Sequence, residues 1–211
     1  MTTEPNAVAE LVLLRQQLAA TEEELRTLRS GISALIRHDV LTGVLNRRTL
    51  LETLGAELQR SHRTGQPFCL AIVDLDHFKR INELCGMAIG DTVLKTLADT
   101  AQKLLRGMDR FGRLGGEEFG IVMPATWLDS GVTAMTRLRA AVAACDWPGI
   151  TGLTDGTMVT FSAGVTINAP ADTVSDLLQR AEAALLQAKL DGRNCTAILE
   201  EPLPDMTDPD D

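Results

Sequence analysis

Arg113-Leu114-Gly115-Gly116-Glu117-Glu118-Phe119-Gly120-Ile121-Val122-Met123 is the stretch on which the reading of this chain turns. Two adjacent glycines between short apolar runs predict a hairpin tip, because glycine reaches positive φ without steric cost and lets a ligand approach the backbone. Two glutamates follow at once. Successive side chains of a strand point to opposite faces, so Glu117 and Glu118 are expected to serve different purposes. By itself a Gly-Gly turn flanked by acids suits a solvated hairpin as well as a site, and the neighbouring segments must decide between them.

Upstream, Phe68-Cys-Leu-Ala-Ile-Val73 is an unbroken apolar run that predicts a strand buried on both faces. It ends in Asp74-Leu75-Asp76. Carboxylates at the end of a central strand, beside the turn into a helix, are placed to hold a hard cation such as Mg²⁺, and alternation puts Asp74 and Asp76 on one face. Capping of the next helix by one of them is the competing reading. His77 to Asn82 begins a short helix. Gly86-Met87-Ala88-Ile89-Gly90-Asp91 separates it from a longer helix, expected from Asp91 to about Leu105, with Gly90 allowing the turn and Asp91 as its cap. Arg106-Gly107-Met108-Asp109 then leads into the hairpin.

Downstream of Pro124 a helix is expected over 127–144, then a polar loop from Trp147 to Gly156, then a strand from Thr160 to Ile167. Gly164 within that strand suggests a bulge or a close backbone approach. A helix from Val174 to Leu190, the turn Asp191-Gly192-Arg193-Asn194 and a short strand from Cys195 to Leu199 complete the domain. The chain has no internal repeat.

The first seven residues are expected to be flexible. From Leu11 the apolar positions Leu14, Leu18, Leu25, Leu28, Ile32 and Leu35, with Thr21 at one polar position, alternate in steps of three and four. That heptad predicts a helix over 8–37 and a parallel coiled-coil homodimer through residues 8–36; a single amphipathic helix folded onto its own domain is the competing reading. Gly43 and the polar residues of 37–48 break the period, and Asn46 caps a helix expected over 47–63. Residues 200–211 are acidic and proline-rich, and are expected to be disordered.

The length of 211 residues and a 45% hydrophobic fraction suffice for one core without disulfide staples. Four scattered cysteines and three scattered histidines form no CxxC or zinc pattern, as expected of reduced thiols in a cytoplasmic protein. No apolar run approaches the ~18 residues of a membrane span, and the N-terminus lacks the regions of a signal peptide. A net charge of -9 argues against general nucleic-acid binding, although a nucleotide is compatible if local cations or metals offset its charge.

Taken together, the segments resemble the GGDEF domain of diguanylate cyclases, from Asp39 to about Leu199 within a domain bounded at 38–199. The resemblance rests on five blocks in order: Asp39 to Arg48, Asp74 to Asn82, Gly86 to Asp91, Gly115 to Phe119 in a GGEEF form, and Ala188-Lys189 to Asn194. It implies an α/β (α+β) fold, a mainly antiparallel central sheet wrapped by helices, akin to nucleotide cyclases and polymerase palms. It also implies condensation of two GTP into cyclic di-GMP and two pyrophosphates by two facing domains.

The roles it carries over are specific. Asp74 and Glu117, with the backbone carbonyl of Leu75, resemble ligands of two Mg²⁺ or Mn²⁺ ions per active site, and Glu117 the proton acceptor. Glu118 belongs to the signature with a less defined role, Lys79 resembles the transition-state cation, and Lys189 and Arg193 the grip on the terminal phosphates. The backbone around His77 and Phe78 should cradle the same phosphates. Asn82 and Asp91 resemble the guanine readers, an amide and a carboxylate suited to guanine's edge. Met87 stands where the family commonly has histidine, which implies weaker GTP binding. Arg106 and Asp109 match an RxxD product-inhibition site for cyclic di-GMP, with Arg113 as its supporting cation. A catalytically idle receptor for cyclic di-GMP and a cyclase of relaxed dinucleotide specificity are the alternatives; the intact acids disfavour the first and Asp91 the second. Any upstream sensor is unspecified by the sequence.

Overall fold

The structure is a computed structural model that describes residues 14–23, 37–152 and 159–200. It divides into two units, with the boundary between Arg37 and His38. In the first unit residues 14–23 are helical (α1), and every one of them is exposed, Leu14 and Leu18 included. The remainder of the heptad stretch expected over 8–37 lies outside the described residues, as do the first seven residues and 201–211.

The second unit is built on a five-stranded sheet. Its elements are α2 (Arg47–Thr64), β1 (Cys69–Leu75), α3 (Phe78–Cys85), α4 (Met87–Leu104), β2 (Arg110–Gly115), β3 (Glu118–Met123), α5 (Leu128–Ala143), α6 (Trp147–Thr151), β4 (Phe161–Ile167), α7 (Val174–Leu190) and β5 (Thr196–Ile198). The strand order is β2-β3-β1-β4-β5. β1 is central and antiparallel to both β3 and β4, whereas β4 and β5 run parallel. This is the mainly antiparallel sheet wrapped by helices that the family resemblance implies, with one parallel pair at its edge.

Every residue of β1 is buried, as its unbroken apolar run requires. Alternation sends Leu70 and Ile72 to one face, where they meet Leu50 and Leu54 of α2 and Leu177, Ala181 and Leu185 of α7. Cys69, Ala71, Val73 and Leu75 face the other layer, built from α3, α4 and α5. By the same alternation Asp74 continues the row toward α7. α7 lies so close to β4 that a Cβ on Gly164 would fall 2.8 Å from the carbonyl carbon of Ala184, with Ala181 O and Leu185 N nearer still. Of the two readings of Gly164, close approach holds; the β1–β4 register runs without a shift.

Two local expectations are corrected. α4 begins at Met87 with Gly86 (φ 85°) at its entry, so Asp91 lies inside the helix and does not cap it. Gly90 makes no turn; it gives room to Asn82. The loop expected from Trp147 contains α6, whose first turn is capped by the Asp146 carboxylate accepting from Gly149 N at 3.1 Å. Trp147 is buried and its indole N–H donates to Val142 O at 2.7 Å, so a polar-looking segment is anchored by one aromatic ring. Residues 153–158 lie outside the described residues.

Candidate active site

The Gly115-Gly116 tip turns the chain from β2 into β3 with φ values of 156° and 49°. Gly116, in the left-handed region, is where glycine is needed. The turn leaves Glu117 between the strands and makes Glu118 the first residue of β3, directly opposite Asp74 in the β1 register. Leu75 N donates to Glu117 O at 3.4 Å, which ties the hairpin backbone to the end of β1. Three acids therefore meet at one end of the sheet, although they are more than 40 positions apart in sequence for Asp74 and Glu117.

Lys189 reaches this cluster from the last turn of α7, its Nζ 3.0 Å from Asp74 Oδ1. Burial pushes the Asp74 carboxyl up; Lys189 pulls it back, Glu117 and Asp76 push further, and the net direction is upward. Burial likewise raises Glu118, helped by the charges of Asp74, Glu182 and Glu117 and opposed by Lys189. Buried carboxylates that also repel one another are costly to keep ionised, and a cation would relieve that cost. Among the described residues no three His, Cys, Asp or Glu side chains gather as a ready-made metal cage. A set of two carboxylates and a main-chain carbonyl suits Mg²⁺, which retains much of its water and needs few protein oxygens. The donor set therefore fits such an ion.

Asp76 shares neither reading the sequence allowed. Its Oδ1 accepts from Ser162 Oγ at 2.7 Å, and its Oδ2 from Thr160 Oγ1 at 2.7 Å and Asn194 N at 3.0 Å. It neither caps α3 nor is free for a cation; it ties β1 to β4 and fixes the turn that carries Arg193. Sequence alternation could not reveal this, because the three donors come from distant segments.

His77 stands at the entry of α3 with φ 55° and no side-chain cap. Its helix N-terminus is therefore open, an arrangement that suits phosphate. Phe78 is buried beneath it, whereas His77 and Lys79 are exposed, with Lys79 Nζ 3.7 Å from Glu83. Asn82 folds over Gly90, where an added Cβ would lie 2.9 Å from Asn82 Cγ and 3.2 Å from Phe78 Cζ. Asp91 and Met87 are exposed one helical turn apart on α4, Met87 at 76%. Arg193 is exposed, with φ 64°.

Arg106 and Asp109 sit elsewhere, at the α4–β2 junction. Asp109 Oδ2 accepts from Arg106 N at 2.8 Å, while its buried Oδ1 has no hydrogen-bond partner. A cavity of about 400 Å³ opens here, lined by His38, Gln102, Arg106, Asp109, Arg110 and Phe111. A second depression adds Arg137 of α5 beside Arg106 and Asp109. Arg137 was missed in the sequence, which holds no local signal for it. Arg113 is not directed at this pair. Its Nε and Nη2 donate to Gly116 O at 2.9 and 2.6 Å, and Nη1 lies 3.2 Å from Asp39 Oδ1. Burial raises the Asp39 carboxyl, but hydrogen bonds from Thr42 and Arg113 outweigh it and hold the group below its ordinary value. Arg113 thus braces the Gly-Gly tip against the turn that opens the domain.

The chain is similar to known proteins over most of its length. A family model described as diguanylate cyclase, GGDEF domain, matches residues 36–195. Diguanylate cyclase DgcP of Pseudomonas aeruginosa is 44% identical over 156 residues, 74% of this chain and 23% of that protein. The chain spans less than half the length of this and other curated relatives it matches. Among solved structures, the coiled coil and GGDEF domain of DgcB from Caulobacter crescentus in complex with c-di-GMP superposes with a TM-score of 0.72 at 25% identity, covering 88% of this chain and 99% of that one. Diguanylate cyclase SiaD in complex with its activator SiaC, from Pseudomonas aeruginosa, gives 0.70 at 35% identity over 93% of this chain and 75% of that one.

Proposed function

The chain belongs to the GGDEF-domain family of diguanylate cyclases, and from that premise we propose that it condenses two GTP into cyclic di-GMP with release of two pyrophosphates. The observation that carries the reading is the meeting of Asp74, Glu117, Glu118 and Lys189 at the end of β1, beside the uncapped N-terminus of α3. In each half-reaction the 3′ oxygen of one GTP bonds to the α-phosphorus of the other. The bond from that phosphorus to the bridging oxygen breaks, and pyrophosphate leaves with the electron pair.

Asp74, Glu117 and the Leu75 carbonyl are the residues that would hold divalent ions, two per site, as Mg²⁺ or Mn²⁺. Such ions, when bound, polarise the phosphoryl oxygens and lower the cost of forming the alkoxide. Glu117 takes the 3′ hydroxyl proton, and Glu118 adds to the field that holds the cations. Lys189 and Arg193 grip the terminal phosphates, and the open α3 amides after His77 and Phe78 cradle them. Lys79 offsets charge that develops on the leaving group. Asn82 and Asp91 read guanine, with Met87 leaving one polar contact unmade.

One domain binds one GTP, so two copies must face each other, and the heptad over 8–36 supplies the dimer. Exposure of Leu14 and Leu18 supports that role. Arg106 and Asp109 form the product-inhibition site, a reading supported by the unpartnered Asp109 Oδ1 and by the neighbouring Arg137. An activator protein, as SiaD has in SiaC, is a compatible input. Among the described residues no helix is long and apolar enough to cross a membrane.

The deciding experiment is product formation from GTP and Mg²⁺ by wild type beside Glu117→Gln, resolved by chromatography. Cyclic di-GMP from wild type alone is the expected result. No product from dimeric wild type would move the reading to a cyclic di-GMP receptor.

A further inference from the structure

Asp74 is nine-tenths buried at its side chain, and the ion pair it makes among the described residues is with Lys189. The two partners differ in access. Asp74 exposes 10% of its side chain and Lys189 31%, so the carboxylate is fixed in the sheet while the ammonium keeps a path to solvent. Lysine is a point charge on a flexible four-carbon stem, and Lys189 can therefore exchange one anion for another without backbone movement.

At 3.0 Å from Oδ1, the Lys189 ammonium occupies one of the two Asp74 oxygens, and its charge repels a divalent cation that approaches the carboxylate. Phosphate groups offer Lys189 a second, more highly charged partner. Resting on the cyclase reading above, we propose that Lys189 is a resident counter-ion for Asp74 that is withdrawn by nucleotide phosphates, so that metal and nucleotide bind as a coupled pair. Without nucleotide Asp74 keeps its ammonium partner and the metal affinity of the site is low. With nucleotide Asp74 is released at the moment the phosphates arrive. Linkage makes the effect reciprocal: whatever factor nucleotide adds to metal affinity, metal adds to nucleotide affinity.

Lys79 provides the contrast. It is a cation of the same proposed site, but its side chain is 89% exposed and lies 3.7 Å from Glu83, and among the described residues it makes no ion pair with Asp74. A general loss of positive charge and the loss of a specific counter-ion can therefore be separated.

The test is Mn²⁺ binding to the nucleotide-free protein, read from the electron paramagnetic resonance signal of free Mn²⁺. Lys189→Met is expected to bind Mn²⁺ about fivefold or more tightly than wild type, within the usual range of coupling between sites. Lys79→Met is expected to bind as wild type does, and adding Asp74→Asn to Lys189→Met should abolish the gain. Equal affinity of wild type and Lys189→Met would overturn the counter-ion while leaving the metal site intact. An equal gain in Lys79→Met would also overturn it, since bulk charge would then suffice. No Mn²⁺ binding by any variant would overturn the metal-site reading and this proposal together.

Discussion

Replacing Gly90 by alanine should weaken GTP binding without slowing the chemical step. The new Cβ would lie 2.9 Å from Asn82 Cγ and 3.2 Å from Phe78 Cζ, with Asn82 Oδ1 closer still. Phe78 is buried and α4 is held by Val93, Leu94 and Leu97, so the relief must come from the Asn82 amide. Carbon atoms pack at ~3.5–4.0 Å, so that amide has to retreat by roughly 1 Å, more than a hydrogen bond to a base tolerates. A lost hydrogen bond that leaves a polar group unpaired costs about 1–3 kcal/mol. Expressed in KM for GTP, that is roughly a five- to hundredfold rise. The helix itself gains, because alanine is favoured over glycine in a helix interior by about 1 kcal/mol. The assay is pyrophosphate release against GTP concentration, with a thermal melt alongside. KM should rise, kcat should stay within about threefold, and the melting temperature should not fall. In an Asn82→Ala background the same substitution should add almost nothing, since its target is gone. An unchanged KM, or an effect that simply adds to Asn82→Ala, would refute the reasoning.

Gly164→Ala should be a folding defect instead, because the nearest atoms are the backbone of α7 at Ala181, Ala184 and Leu185, which cannot rotate away. A loss of about 3 kcal/mol or more in urea denaturation is expected, and a loss under 1 kcal/mol would contradict the close approach. Arg180 is 1% exposed and donates from Nη1 to Asp172 Oδ1 at 2.6 Å and from Nη2 to Ile167 O at 3.0 Å. Arg180→Ala leaves the buried Asp172 carboxylate with the Ala169 N–H but without its counter-ion, and should cost about 3–5 kcal/mol, with partial recovery when Asp172→Asn is added. Asp74 has a folded pKa raised above its unfolded value, so its contribution to stability is complete below about pH 4 and is lost as pH rises through the raised value. The melting temperature of Asp74→Asn relative to wild type should therefore increase from about pH 4 to neutrality while product formation is abolished; a difference independent of pH would count against the burial cause.

The sequence by itself determined those features that local chemistry dictates. An unbroken apolar run before Asp74 specified a central strand, Gly115-Gly116 specified a hairpin, and the period of 174–190 specified α7 to the residue. Asn46 caps α2 through Thr49 N at 2.9 Å, as its side chain and position predict. Where local signals compete, tertiary contacts decided. Asp91 reads as a cap, but α4 starts at Met87 with Gly86 at its entry, and Gly90 inside the helix leaves the space that Asn82 fills. Asp76 reads as the twin of Asp74, but Thr160, Ser162 and Asn194 claim both of its oxygens. Arg113 reads as a companion of Arg106, but the Gly116 carbonyl and Asp39 hold it. Arg137, beside Arg106, is announced by nothing local. The physical reason is the same throughout. Propensity and periodicity act over a few residues and fix elements, whereas the partner of a charged or amide group is whichever donor or acceptor the packed sheet and helices bring within ~3 Å.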